Sequence, residues 1–154
     1  MGSKNKHIKA KTVHYQKLIP TDLVVDKFYP AHPSWGFSTI DNNLRCPWNI
    51  SNKHIGDLFW SEILPALKNF ESMTYSEIFI KGKKFHHSIS PDSLNDVAVK
   101  RLEELQIEAN SIYSLRLSAT HRLYGYISGT TFRVLWYDDN HGDNDTCVCR
   151  SRKK

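Results

Sequence analysis

The sequence predicts an α+β domain in which helices pack on one face of a C-terminal antiparallel sheet. Three observations predict it. Apolar residues recur at three- and four-residue steps through the middle of the chain, and the period shortens to two from Ser111 onward. The chain has 154 residues, 40% of them hydrophobic, which suits one core without a cofactor to complete it. Helices followed by a strand meander place the helices on one sheet face and leave the other face open, as an expectation, for a ligand.

The elements follow in order. Residues 1–33 read as a basic N-terminal arm, carrying Lys4, Lys6, Lys9 and Lys11 and an apolar patch at Leu18, Ile19, Leu23, Val24 and Val25 suited to docking. Residues 34–154 read as a single domain. Trp35 to Ile40 alternates large with small residues, as a half-buried strand does, and Asp41-Asn42-Asn43 is a turn. From Asn52 to Phe70, Ile55, Leu58, Phe59, Ile63, Ala66, Leu67 and Phe70 form one helical stripe, which Pro65 should kink because it lacks an amide donor. Thr74 and Glu77 have capping-box spacing before a short second helix that Lys81-Gly82 ends. A third helix is expected from Ser93 to Leu105, capped by Ser90 or Asp92, with Leu94, Val97, Ala98, Leu102 and Leu105 on its apolar face. The segments IYSLRLSA, HRLYGYI, TFRVLWYD and TCVCR then read as strands, with Ser128-Gly129-Thr130 as a hairpin turn and Asp138 to Asp145 as a longer loop.

A net charge of +5 favours a polyanionic partner, since Lys and Arg release counterions from phosphates. Beyond the arm, the charge concentrates in Lys81, Lys83 and Lys84 and in Arg150, Arg152, Lys153 and Lys154. No run approaches the roughly 18 apolar residues that span a bilayer, so no membrane partner is expected. The first residues lack the apolar core of a signal peptide, and three cysteines cannot pair completely; both point to the cytoplasm.

Strand alternation puts Arg116, Arg122, Tyr124 and Tyr126 on one surface opposite Leu115, Leu117 and Leu123, with Arg133 and Tyr137 alternating together in the next strand. Arginines between tyrosines suit single-stranded RNA, because guanidinium groups grip phosphate and rings stack on bases. On the open face, truncating Arg122 should leave the core untouched. Zinc is the competing use of Cys46, His141, Cys147 and Cys149. A C-x-C pair lacks the usual C-x₂₋₄-C spacing, and adjacent His86 and His87 would point to opposite strand faces, so neither a metal nor a cofactor is expected.

The run RLSATHRLYGYISGTTFRVLWYDDNH resembles the C-terminal sheet of the RelE-like toxins, small ribosome-dependent messenger-RNA endonucleases. The resemblance covers about the last forty residues by motif and the helices by order. It implies a RelE-like fold and a toxin of a toxin–antitoxin pair, acting as a metal-independent endoribonuclease on RNA, on the ribosome, and held by an antitoxin protein. It places Arg122 on the scissile phosphate and His141 near a second basic or acid–base position. The chemistry of metal-free RNA cleavage assigns Arg122 and Arg116 to phosphate, His141 or His121 as acid–base groups and Tyr124 as a stacking group. Tyr124, Tyr126, Arg133, Lys83, Lys84, Arg150, Lys153 and Lys154 would bind RNA. The family fold also serves gyrase poisons, so a non-catalytic nucleic-acid- or partner-binding module is the alternative. The chain departs from the family in the GDND insertion and the CVCRSRKK ending, which leaves the general acid unassigned.

Overall fold

A computed structural model describes residues 27–50, 55–142 and 147–149. Its centre is a five-stranded sheet in the order β1-β5-β4-β3-β2, formed by β1 (Ser34–Gly36), β2 (His87–Ile89), β3 (Ile112–Arg116), β4 (Arg122–Ser128) and β5 (Thr131–Asp138). The meander from β2 to β5 is antiparallel, whereas β1 runs parallel to β5, so the sheet is mixed. β1 is shorter than the alternation of Trp35 to Ile40 predicts. The chain turns away after Gly36, and Asp41 returns to the sheet through its amide, which donates to the Leu135 carbonyl.

The central helix has three parts. α1 (Ile55–Leu58) passes through a π-turn (Phe59–Ile63) into α2 (Leu64–Glu71). Pro65 has no amide to give, and directly before it the Leu64 amide reaches back five residues to the Phe59 carbonyl. The expected kink is thus absorbed as a π-turn without breaking the stripe. Thr74 and Glu77 form the predicted reciprocal cap: the Thr74 amide donates to Glu77 Oε2 at 2.8 Å and the Glu77 amide to Thr74 Oγ1 at 3.2 Å. They open a π-turn (Glu77–Lys81) that Gly82 closes. The third helix begins later than expected. Pro91–Ser93 is a separate 3₁₀ turn, and α3 (Asp96–Glu104) is capped by Asn95, whose Oδ1 accepts the Val97 amide. Leu94 is drawn out of the helix because it bridges to Cys149, while the Asn95 amide donates to the Val148 carbonyl. TCVCR does not extend the sheet; among its described residues only Cys149 pairs, at that single bridge.

Both faces of the sheet are covered, which corrects the expectation of an open one. On the first face, Tyr113, Leu115, Leu123, Phe132, Val134 and Tyr137 pack against Ile63, Leu67, Phe70, Tyr75, Ile78 and Phe79. Phe28, with Tyr29 and Ala31, joins this layer, so the end of the expected arm is docked; residues 1–26, including the patch from Leu18 to Val25, lie outside the described residues. On the second face, Ile112, Tyr124, Leu135 and Trp136 pack against Trp48, Leu94, Ala98, Leu102 and Val148. The apolar stripe of α3 requires such a partner, and Trp48 and Val148 complete the layer from loops.

A β-bulge in β5 decides which side chains share a face. Tyr124 pairs with Trp136 but Gly125 pairs with Val134, so Leu135 and Trp136 both serve the second face. The extra residue inverts the alternation. Arg133 stays with Tyr126 on the second face and Tyr137 passes to the first, so these two do not share a surface. Gly125 is required opposite the bulge, since a Cβ there would meet the Arg133 carbonyl oxygen at 2.2 Å.

Candidate nucleic-acid interface

At one end of the second face, register brings cations together. Arg116 pairs with Arg122 across β3 and β4, and His87 pairs with Ser114, which in turn faces Tyr124. The turn between β3 and β4 and the loop after β5 close this end, held by the His141 amide donating to the Thr120 carbonyl. Arg116, Arg122, Tyr124 and His141, four of the residues singled out from the sequence, therefore meet at one place. His87, Ser114, Asp138, Cys147 and Cys149 join them.

The Arg116–Arg122 pair is electrostatically unusual. Directly opposed like charges destabilise a sheet, and among the described residues neither guanidinium has a carboxylate ion-pair partner. Burial disfavours the charge on Arg122, Tyr124 and Asp138 lie on the favourable side, and the neighbouring Arg116 adds to the cost. Arg122 is buried, and its Nη1 donates to the carbonyls of Ser118 at 2.7 Å and His121 at 2.9 Å. It is not the freely exposed side chain the sequence implies, because it folds into the β3–β4 turn, whose carbonyls it donates to. Arg116 is half-buried, donates from Nε to the Ser118 carbonyl, and lies 5.2 Å from the centre of the Phe85 ring.

Phe85 is exposed and also has Lys84 Nζ 5.8 Å from its ring centre. Lys83 and Lys84, expected from the sequence to bind RNA, are both exposed, and no periodicity singles out the aromatic ring between them and the histidines. An exposed ring flanked by an ammonium and a guanidinium is a stacking platform with phosphate grips beside it. His86 accepts the Arg116 amide at Nδ1 and packs edge-on against Phe70. Burial, and then the charges of Arg122, His87 and Arg116, push its pKa down to about 4, so it is neutral at physiological pH. The His87 ring is desolvated although the residue keeps exposed surface, and with His141 and Arg122 nearby its charged form is likewise disfavoured.

Tyr124 is fully buried, so it cannot stack on a base. Its hydroxyl lies 3.2 Å from His141 Nδ1, and burial, with the neighbouring thiols, drives its pKa far up and keeps it protonated. His121 is not part of this site. It sits on the opposite side of β4, where Nδ1 contacts both Glu62 carboxylate oxygens at 2.8 Å, and Tyr137 donates to the same carboxylate. Arg133 lies toward β1, its guanidinium 3.4 Å from Ser38 Oγ, and Tyr126 is its register partner. Arg150, Lys153 and Lys154 lie outside the described residues.

No family model, no curated protein and no solved structure matches this chain. No helix among the described residues is long and apolar enough to cross a membrane.

Proposed function

We propose that the chain binds single-stranded RNA at the β2–β3–β4 end of the sheet and cleaves it, as the toxin of a toxin–antitoxin pair acting on messenger RNA. The observation that carries this reading is the in-register Arg116–Arg122 pair, which has no carboxylate ion-pair partner among the described residues. Two guanidinium groups held side by side at a cost in repulsion are relieved by a bound phosphate, and they are aimed where charge develops when a phosphodiester is attacked. Phe85 and Lys84 extend the grip toward the next nucleotide. Cleavage also requires a base for the 2′-hydroxyl. His87 fits that role better than His121, because it is on the arginine face, reaches solvent and has its charged form disfavoured by burial and by the neighbouring His141 and Arg122. The toxin assignment rests on the resemblance of the run from Arg116 to His141 to the RelE-like sheet, and the exposed aromatic cluster of Phe37 and Trp60 around Phe59 supports a protein partner.

A second reading is a binding module of the same fold that does not cleave. The engagement of Arg122 with loop carbonyls favours it, since that guanidinium is partly committed to holding the turn.

The test separates the two. RNA affinity of the full chain should fall with salt by about 0.7 log units per log unit and contact, and Arg116→Ala should lower that slope by about one contact. If the chain is an endonuclease, Arg116→Ala and His87→Ala should each slow cleavage of single-stranded RNA by about 10²–10³. Salt-independent binding would overturn the RNA reading, and RNA left intact under tight binding would leave only the module.

A further inference from the structure

One cluster beside the arginines is not used by the RNA reading. Asp138 ends β5, His141 follows in the loop, and Cys147 returns against the strand end. One ligand atom from each lies within 4.8 Å of the other two, and Cys147 Sγ is 3.4 Å from His141 Nδ1. Asp138 and Cys147 are buried and His141 is half-buried. A thiolate at ~2.3 Å and an imidazole nitrogen at ~2.0 Å from a tetrahedral zinc ion stand ~3.5 Å apart. The sulfur and nitrogen here are already at that separation.

The backbone holds all three in place. Asp138 is fixed by its pairing with Arg122, and its Oδ1 accepts the Asn140 amide at 2.9 Å. The His141 amide is anchored on Thr120, and Cys147 is followed by Val148 and Cys149, anchored to Asn95 and Leu94. Gly142, with φ at +105°, makes the turn that lets the chain leave His141, a conformation that disfavours other residues.

The same three residue types can also activate a thiol as a nucleophile. Cys147 is only 7% exposed, whereas reactive thiols are partly open to their substrates. A closed thiol–imidazole–carboxylate set fits an ion better than a substrate. The charges agree: a thiolate and a carboxylate neutralise a divalent cation, which lets the cluster sit beside Arg122. Cys46, the cysteine the sequence reading grouped with these, is elsewhere, packed with Trp48 and held by Asp41.

We propose that Asp138, His141 and Cys147 form a zinc site, using one carboxylate oxygen, Nδ1 and Sγ respectively. The ion pins the segment at 147–149 to the end of β5. The site abuts Arg122, but its zinc readouts do not involve RNA, so either proposal can fail without the other.

The experiment uses the full, reduced chain stripped of metal. Zinc should bind at one ion per chain in competition with a chromophoric chelator and raise the melting temperature. Cobalt in its place should give a thiolate-to-cobalt charge-transfer band. Cys147→Ser should remove that band and weaken zinc binding at least about tenfold, while Cys46→Ala should leave both unchanged. Should Cys147→Ser not fold, Asp138→Asn provides the same test, because it keeps the size and the acceptor for Asn140 while losing the charge. A folded, reduced wild-type chain that takes up no zinc would overturn the proposal, as would wild-type affinity in Cys147→Ser or Asp138→Asn.

Discussion

The two ends of the sheet's second face carry similar residues in opposite electrostatic situations. Toward α3, Arg101 is buried and grips Asp41 with two bonds of 2.8 Å, Trp136 donates to the same carboxylate at 3.1 Å, and Glu104 takes a further bond from Arg101. Burial alone would raise the pKa of Asp41, yet the bonds from Arg101, Trp136 and the Asn43 amide hold it below the usual carboxylate range. Every charge there is answered from within the chain. At the other end, Arg116 and Arg122 face each other with no carboxylate ion pair among the described residues. A cation held in a buried ion pair secures the fold, whereas two opposed guanidinium groups without such a pair among the described residues suit an external anion. The difference yields opposite expectations for the same kind of substitution.

The compensated end gives the largest effect. Asp41→Ala strands the Arg101 guanidinium and the Trp136 indole N–H in a buried layer, which should cost about 3–5 kcal/mol. Urea unfolding would show it as a fall in midpoint with RNA binding unchanged in the fraction that remains folded. A loss below about 1 kcal/mol would mean that the two ends do not differ as described.

Arg122 is intermediate, and the structure revises what its truncation should do. The sequence reading expects an unchanged melting temperature, but the Nη1 bonds to the β3–β4 turn make Arg122 part of the fold as well. Arg122→Ala should lower stability by about 1–3 kcal/mol as those bonds are lost, and Arg122→Lys should recover part of the stability but not the bidentate phosphate grip. Equal stability in wild type and Arg122→Ala would return Arg122 to a purely external role.

How far this was legible in sequence depends on how local each signal is. The alternation of Leu115 and Leu123 with Arg116 and Arg122 is local, so the face the arginines share could be read directly, while their cross-strand register could not. The bulge could not. Leu135 and Trp136 are both apolar, and nothing in TFRVLWYD says that two consecutive residues serve one face. The second layer was hidden for another reason: Trp48 and Val148 come from segments without periodicity and meet the α3 stripe only in three dimensions. His121 was misgrouped because a helical residue 59 positions away, Glu62, claims it. The Asp138, His141 and Cys147 cluster depends on a loop closure that no spacing rule encodes.

The cationic end should also be legible in pH. The His86 pKa is pushed down from 6.5 to about 4 in the folded chain, burial being the largest cause and the nearby arginines and His87 adding to it. The unfolded chain therefore binds more protons than the folded one between these values. This contribution is fully present above about pH 6.5 and is lost as pH falls toward 4. His87, shifted in the same direction, adds to the slope. Melting temperatures at pH 7.5 and 4.5 should diverge less in His86→Asn, which keeps an acceptor for the Arg116 amide but does not titrate. An identical divergence in wild type and His86→Asn would place the acid sensitivity elsewhere.

The smallest expected effect is the one most able to break the comparison. Glu62, His121 and Tyr137 form a self-contained polar group on the first face, with Glu62 accepting from both partners. His121 and Glu62 are partly exposed, and ion pairs in such places contribute about 1 kcal/mol or less. Glu62→Gln keeps the shape and one acceptor oxygen, so its cost should lie at or below that figure, with Tyr137 still hydrogen-bonded. On the far side of β4 from Arg116 and Arg122, the change should leave RNA affinity, its salt slope and any cleavage rate unaltered. If Glu62→Gln instead slows cleavage tenfold or more at unchanged affinity, the acid–base group is His121, oriented by its carboxylate, and the chemistry lies on the first face. A matching loss in His121→Ala, with none in His87→Ala, would complete that reversal, because an imidazole held by a carboxylate acts only on a substrate it can reach.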